Sequence, residues 1–420
     1  MFFVIFIVLY LHFYYEKKVF RHFFYTSSNG NEVVPVLRFP QFESAYSKIK
    51  LNQYAQFIQG LTYSPEDTRN WGMLVLRSSN IQNSKLDFND NVFVKNEVVP
   101  NKIRTKHNDV LMCVRNGSKN LVGKTALITK EYENLAWGAF MNIIRPLENN
   151  NYLYFFLNSR SFKQQIYKDL ATATVNQITM QTLNDIKLFL PNQVEQQKIA
   201  DFLSLIDKRI EKQRQLIESL KKYKRGLFNK IFSSFVGEYI TLENILVEVN
   251  EKSKINNEYP IISSTKQGLF LQSDYFNKQA ASENTIGYKI LRKGQIVFSP
   301  QNLWMGNINY NSNFEIGIVS PSYKIYQINK KFNPYFIGVL LKEPIALKEY
   351  MLASEQGASI VRRNLNLELF NNIKFKIPTL EIQDKLAVIL KTANTIIEKE
   401  ELYLSMLNKY KNGLLQQMFI

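Results

Sequence analysis

The sequence predicts an α+β protein: two domains of mixed strands and helices, joined by two long helices packed as an antiparallel coiled coil, with pseudo-two-fold organisation. Two observations carry this. Segments Leu190 to Phe232 and Ile377 to Phe419 match each other without a gap at an offset of 187 residues, and each has apolar residues at helical period. The stretches before them are rich in short β-branched runs between Asn, Gly and Ser clusters, the pattern of strands and turns.

The repeat is read position by position. Placing Pro191 on Pro378 puts Gln196 on Gln383, Lys198 on Lys385, Ala200 on Ala387 and Leu203 on Leu390. Further on, Lys222-Tyr223-Lys224 falls on Lys409-Tyr410-Lys411, Gly226-Leu227 on Gly413-Leu414, and Phe232 on Phe419. A Pro opens each segment, as a helix start tolerates. The first helix then carries Leu203, Ile206, Ile210, Leu216 or Ile217, Leu220 and Tyr223 at three- to four-residue steps. The second carries Leu390, Ala393, Ile397, Leu404, Leu407 and Tyr410. Each is a single apolar stripe, narrow enough for a coiled-coil seam. From Glu195 to Phe232 a helix runs about 57 Å at 1.5 Å per residue, and such a helix needs a partner. Its own repeat is the obvious one; its own globular domain is the alternative.

The repeat also extends backward, since Val175 meets Arg362, Ile178 meets Leu365, and Asp185-Ile186-Lys187 meets Asn372-Ile373-Lys374. The unit that is duplicated is therefore a domain followed by a long helix, the design of a reader for two half-sites. The predicted layout is an N-terminal extension over 1–33, a domain over 34–190, a spacer helix over 191–232, a second domain over 233–377 and a closing helix over 378–420. Met73–Leu76, Asp109–Val114 and Gln295–Phe298 are the clearest strands.

Residues Met1 to Tyr15 are apolar apart from His12. That run is short of the ~20 apolar residues a membrane-spanning helix needs. It also lacks the leading positive charges and small-residue site of a signal peptide. A short anchor, a vestigial tail and translated upstream sequence are all open; the last is favoured, with no function expected for 1–33.

Lys and Arg number 53 against 36 Asp and Glu, a net charge of +17. Such a balance favours a polyanionic partner, nucleic acid or an anionic surface; an AT-rich genome would also produce it. The one cysteine, Cys113, allows no internal disulfide, and three histidines (His12, His22, His107) are too scattered for a zinc cluster. No metal and no cofactor are expected in this chain, and a reducing, cytoplasmic setting is.

Base edges and phosphates are contacted by Arg, Lys, Asn, Gln, Ser and Tyr. The candidates at strand ends are Arg77, Ser79, Asn80, Arg115, Asn116, Lys119 and Lys124 in the first domain. In the second they are Lys266, Gln267, Gln301, Asn302 and Tyr323. For any one of them an ordinary solvated turn explains the residue as well; taken as clusters they point to DNA. The helix-pairing candidates are Leu203, Ile206, Ile210, Ile217, Leu220, Leu390, Ile397, Leu404 and Leu407.

Leu190-Pro-Asn-Gln-Val-Glu-Gln-Gln-Lys-Ile, with the Lys-Tyr-Lys-x-Gly stretch that follows, resembles the central conserved region of type I restriction–modification specificity subunits. Val34-Pro-Val-Leu-Arg-Phe-Pro resembles their usual start, and Gly60 to Ile81 the opening of a target recognition domain. The second copy departs at Ile382-Gln383, where the first has Glu195-Gln196. The resemblance runs from Val34 to Ile420. It implies a non-catalytic, DNA-binding specificity subunit with two target recognition domains, each reading half of a bipartite double-stranded site. It implies a helical ruler that sets the gap between the halves. It also implies two methyltransferase subunits, which use S-adenosylmethionine to modify adenine at N6, and restriction subunits driven by ATP with Mg2+ for cleavage; no membrane is expected.

Three other classes fit the residues less well. Asn333-Pro334-Tyr335-Phe336 is similar to the adenine-gripping motif of a DNA methyltransferase, but it lacks a second Pro and a Gly-rich cofactor loop, and it reads better as a helix start. A membrane-anchored coiled-coil adaptor would use the apolar N-terminus, yet leaves the duplicated domains without a purpose. A nuclease would need clustered carboxylates for Mg2+, and none stands out.

Overall fold

The computed structural model describes residues 34–148, 150–172, 175–275, 284–359 and 362–420. The N-terminal extension lies outside them. The chain divides into two compact units: residues 1–215 with 402–420, and residues 216–401. Each long helix thus contributes one half to each unit.

The first unit is built on a four-stranded antiparallel sheet in the order Ala55–Gln59, Met141–Pro146, Val110–Cys113, Thr125–Leu127. Val110–Cys113 is buried along its whole length, because apolar side chains cover both of its faces. On one side lie Tyr152–Asn158, Arg160–Thr172 and the start of the long helix. On the other, a smaller core gathers Val75, Leu76, Val94, Trp137 and Ile143.

The second unit repeats this plan. Its antiparallel sheet runs Leu246–Val249, Lys324–Ile328, Gln295–Phe298, Ile308–Tyr310. Pro334–Leu340, Pro344–Leu352 and Leu367–Asn372 take the places of the first unit's short helices. The strand that feeds each long helix is paired in the same manner, Ser47–Lys50 with Lys187–Leu190 and Glu238–Thr241 with Lys374–Ile377.

The two long helices are Gln193–Ser234 and Leu380–Met418. The first, at 42 residues, has a contour of about 63 Å. Both begin two residues after their Pro, so Pro191 and Pro378 stand ahead of the helix and not in its first turn. The reason is local. Asn192 caps the first helix by accepting from the Glu195 N–H (2.9 Å). The freed Pro carbonyls then accept from a Gln one turn in: Gln196 Nε2 to Pro191 O at 2.9 Å and Gln383 Nε2 to Pro378 O at 2.8 Å. That is why the same Gln recurs in both copies.

Within each unit the helix halves run antiparallel. In the first, Lys411 Nζ meets Asp207 Oδ1 at 2.6 Å, and Arg209 donates to the Tyr403 hydroxyl (3.2 Å). In the second, Lys221 pairs with Glu401 at 2.8 Å. Ile199, Ala200 and Leu203 share one core with Leu414, Leu415, Met418 and Phe419. Their repeat counterparts Leu386, Ala387 and Leu390 share the other with Phe228, Ile231 and Phe232. Of the stripe residues, Leu203, Ile210, Ile217, Leu390 and Ile397 are buried, and Ile206, Leu220, Leu404 and Leu407 are half-buried. Leu216 is exposed, so Ile217 is the seam position at that step. Gln213 is buried in the same row; a polar residue in a seam fixes register at a cost in stability.

The departure at Ile382 has a structural cause. Glu195 is fully buried and forms a two-pronged ion pair with buried Arg38, both contacts at 2.8 Å, while Tyr46 donates a third hydrogen bond at 2.9 Å. Ile382 instead packs on the second apolar core. Breaking a buried pair leaves a charge without compensation. Arg38→Met is expected to cost about 3–5 kcal/mol in urea unfolding, and adding Glu195→Ile to it to recover most of that loss. A double variant no more stable than the single one would refute this account.

Candidate nucleic-acid interface

The end of strand Val110–Cys113 delivers Arg115 to the surface of the first unit. The backbone N–H groups of Val114 and Arg115 both donate to Phe140 O (3.0 and 3.2 Å), at the residue that leads into the central strand. That pairing stacks the Arg115 guanidinium on the Phe140 ring, 5.1 Å from its centre. Arg115 is exposed, and Phe140 is 56% exposed. A guanidinium held over an aromatic ring is less mobile and loses less entropy on binding.

Two further segments close on this point. Ile178 N donates to Val114 O (2.8 Å), Asn116 N to Asn176 O (3.2 Å), and Asn176 Nδ2 to Gly117 O (3.1 Å). Asn116 Nδ2 reaches Ser78 Oγ at 3.1 Å. The clusters around Arg77 and Arg115, separate in sequence, therefore form one surface together with residues 175–178.

The individual candidates in this unit take different places. Arg77 pairs with Asp90 (2.9 Å) and is about one-third exposed. Asn80 is buried. Its Oδ1 accepts from Arg77 N (2.9 Å), and its Nδ2 donates to Asp87 O (2.9 Å) and Asp90 O (3.1 Å). Asn80 thus holds the loop and has no donor left for a base. Ser79 Oγ is buried without a partner among the described residues. Lys119 is exposed, and the half-buried Lys124 donates to Ile81 O at 3.1 Å.

The second unit forms the equivalent surface from equivalent pieces. The loop after Gln295–Phe298 exposes Gln301 and half-buries Asn302. Arg363 N donates to Gln301 O (3.2 Å), and the Arg363 guanidinium sits 5.9 Å from the centre of the Trp304 ring. Ser354 accepts from the same guanidinium, 2.7 Å from Nη2 to its carbonyl. Here again an arginine lies on an aromatic ring. Tyr323 precedes the central strand as Phe140 does, but it is half-buried and its hydroxyl donates to Ser264 O (3.3 Å). Burial pushes that hydroxyl's pKa up, so it stays a donor. Lys266 and Gln267 are exposed at the tip of the hairpin Ile262–Thr265 and Gly268–Leu271. Lys342 Nζ donates to Lys266 O (3.4 Å), beside this tip. The residues that strand-end reasoning missed are Phe140, Asn176, Gln177 and Arg363. The repeat gives a sequence signal for two of them, since it sets Asn176 opposite Arg363 at the common offset of 187.

The Asn333-Pro-Tyr-Phe motif is a helix start. Asn333 Oδ1 accepts from Phe336 N (3.0 Å), its Nδ2 donates to Asp384 (2.7 Å), and Phe336 is in the core. Both ends of that amide are used within the protein. Among the described residues no three His, Cys, Asp or Glu side chains cluster to hold a metal ion. No helix among them is long and apolar enough to cross a membrane.

Residues 43–222 match the family described as type I restriction modification DNA specificity domain. The EcoKI specificity subunit of Escherichia coli K12 is 26% identical over 325 residues, 70% of this chain and 68% of that one. A specificity subunit of Methanocaldococcus jannaschii, MjaX, is 26% identical over 78% of this chain and 81% of its own length. Among solved structures, a type I S subunit from M. genitalium superposes with a TM-score of 0.53 at 18% identity, covering 92% of this chain and 99% of that one. A chain solved in work on assembly of the type I R-M system gives 0.54 at 10% identity, over 89% and 97%. At such identities the structural likeness is one of fold. The domain match over 43–222, the recurrence of the main sheet order in the second unit and the paired long helices make this chain similar in sequence to type I restriction–modification specificity subunits and give it the fold of the solved S subunits.

Proposed function

We propose that this chain reads a bipartite DNA site, one half with each unit, and scaffolds methyltransferase and restriction subunits around it. The observation that carries this reading is an arginine on an aromatic ring beside the corresponding strand end of each unit, built from different segments: Arg115 on Phe140, and Arg363 on Trp304. One such surface would bind weakly. Two joined by paired helices raise the effective concentration of the second contact. The charge of +17 supplies the sequence-independent part of the affinity through counterion release. The chemistry belongs to partners: S-adenosylmethionine for N6-adenine methylation of a flipped base, and ATP with Mg2+ for the restriction subunits.

Arg115→Ala is expected to cost about 1–3 kcal/mol in binding at one half-site and to leave the other half unchanged. Phe140→Leu, which removes the ring but keeps the bulk, should give a smaller loss of the same kind. Fluorescence anisotropy on duplexes altered in one half at a time would measure both, and normal affinity in Arg115→Ala would refute the assignment. Arg77, already paired with Asp90, should matter less than Arg115.

The helix pair should act as a ruler. One turn inserted after Ser219, matched by a turn in the facing stretch of the second helix, adds about 6 Å. The recognised gap should lengthen by roughly two base pairs, given about 3.4 Å per step, with both half-sites intact. Sequencing host DNA for N6-methyladenine after co-expression with the methyltransferase subunit reads out the site. A bipartite motif that appears only with this chain is the expected result. A stable complex that leaves no new methylation in any sequence would contradict the reading.

A further inference from the structure

The lysine that closes the Lys-Tyr-Lys stretch, Lys224 in the first helix and Lys411 in the second, lines a cavity in each unit. The two cavities occupy equivalent places but differ in charge. In the second unit Lys224 and Lys342 face Glu343, Glu398 and Glu401 in a space of about 470 Å³. In the first unit the space is about 180 Å³, and Lys85, Lys163, Arg214 and Lys411 line it with Asp207 as the one acid. The repeat shows how the balance changed: Arg214 stands where the second copy has Glu401, and Asp207 where it has Asn394.

The acids near the smaller cavity are already engaged. Asp207 is bound to Lys411 at 2.6 Å, and Glu211 is bound to Lys85 at 2.5 Å. Arg214 reaches that same Glu211 only at 3.9 Å. Lys163, on helix Arg160–Thr172, has neither a salt bridge nor a side-chain hydrogen bond to any described residue. Its ammonium titrates below the usual lysine range, first through burial and then through the Lys411 charge. Like charges brought together in a partly enclosed space cost free energy unless an anion sits between them. The walls also carry neutral polar groups, with Asn83, Ser84, Asn158 and Asn412 among them. A phosphate group needs this mix: several cationic donors and a few neutral ones within one small space.

We propose that the cavity between Lys163, Arg214 and Lys411 binds a phosphate-class anion, which is either free phosphate or a phosphate of a DNA backbone. The hairpin tip Asn83-Ser84 that borders it follows directly on the Arg77–Asn80 loop. Free phosphate would make the cavity a ligand site in its own right. A backbone phosphate would make it an extension of the first unit's DNA surface. The second source rests on the proposed DNA reading, the first does not.

The test uses the full chain and inorganic phosphate, titrated by calorimetry at constant ionic strength against chloride. Binding is expected, and Lys163→Gln should weaken it by roughly tenfold or more, the loss of one charge-assisted contact. The matched change Lys342→Gln in the second unit should leave it unchanged. NMR titration of the Lys163 ammonium should show its pKa rise when phosphate is added, which a structural lysine would not show. For a backbone source, free phosphate binds too weakly to detect; Lys163→Gln then lowers affinity for any duplex and reduces the salt slope by about one. If the wild type binds no phosphate, and Lys163→Gln leaves duplex affinity and salt slope as they were, the proposal is wrong. A chain that binds phosphate but no duplex would keep the cavity and remove the DNA reading.

Discussion

A helix of forty residues with one apolar stripe cannot stand alone in water. Helix stability in proteins comes from packing such a stripe and not from propensity. In this chain the stripe of each long helix is covered by the other helix, and the ends are sealed into domain cores. Ile199, Ala200 and Leu203 meet Leu414, Leu415, Met418 and Phe419, and the mirror set closes the second unit. Everything else is arranged around that exchange. The strand that enters each helix is pinned by an antiparallel partner, and the Pro carbonyl ahead of each helix is tied by Gln196 or Gln383.

The duplication preserved the scaffold and released the surfaces. Sheet order, helix order and the Gln–Pro bond recur. The charges do not: Glu195, paired with Arg38, stands opposite Ile382, and Arg214 opposite Glu401. The arginine-on-aromatic pair recurs in kind but from different positions. Arg115 comes from the strand-end loop, whereas Arg363 comes from the segment opposite Asn176. A frame that tolerates such exchange lets the two units present different surfaces on the same scaffold.

The helices were legible in sequence because a gapless repeat records which face is used twice. Met73–Leu76 and Gln295–Phe298 were legible as strands from composition alone. The sheet order was not, since Met141–Pro146 lies between Ala55–Gln59 and Val110–Cys113 through pairings far apart in the chain. For the same reason Phe140, Asn176 and Gln177 escaped notice: only backbone pairing brings them to Arg115. Polar identity also misled. Asn80 looks like a base reader, yet a buried turn used all of its hydrogen bonds. The start of each helix lay two residues beyond its Pro, and in the first helix the cap at Asn192 outweighed the Pro as a signal.

The seating of Leu414 to Phe419 in the first unit has a consequence for synthesis. The second unit is one continuous stretch, 216–401, while the first needs residues 402–420. As the chain leaves the ribosome, the first domain waits with an open apolar groove where Tyr152 and Phe156 will meet Phe419. The later-made unit can finish first. The earlier one closes only after a return over some two hundred residues, a contact of high sequence separation that slows folding. During that interval the exposed groove is open to misassembly.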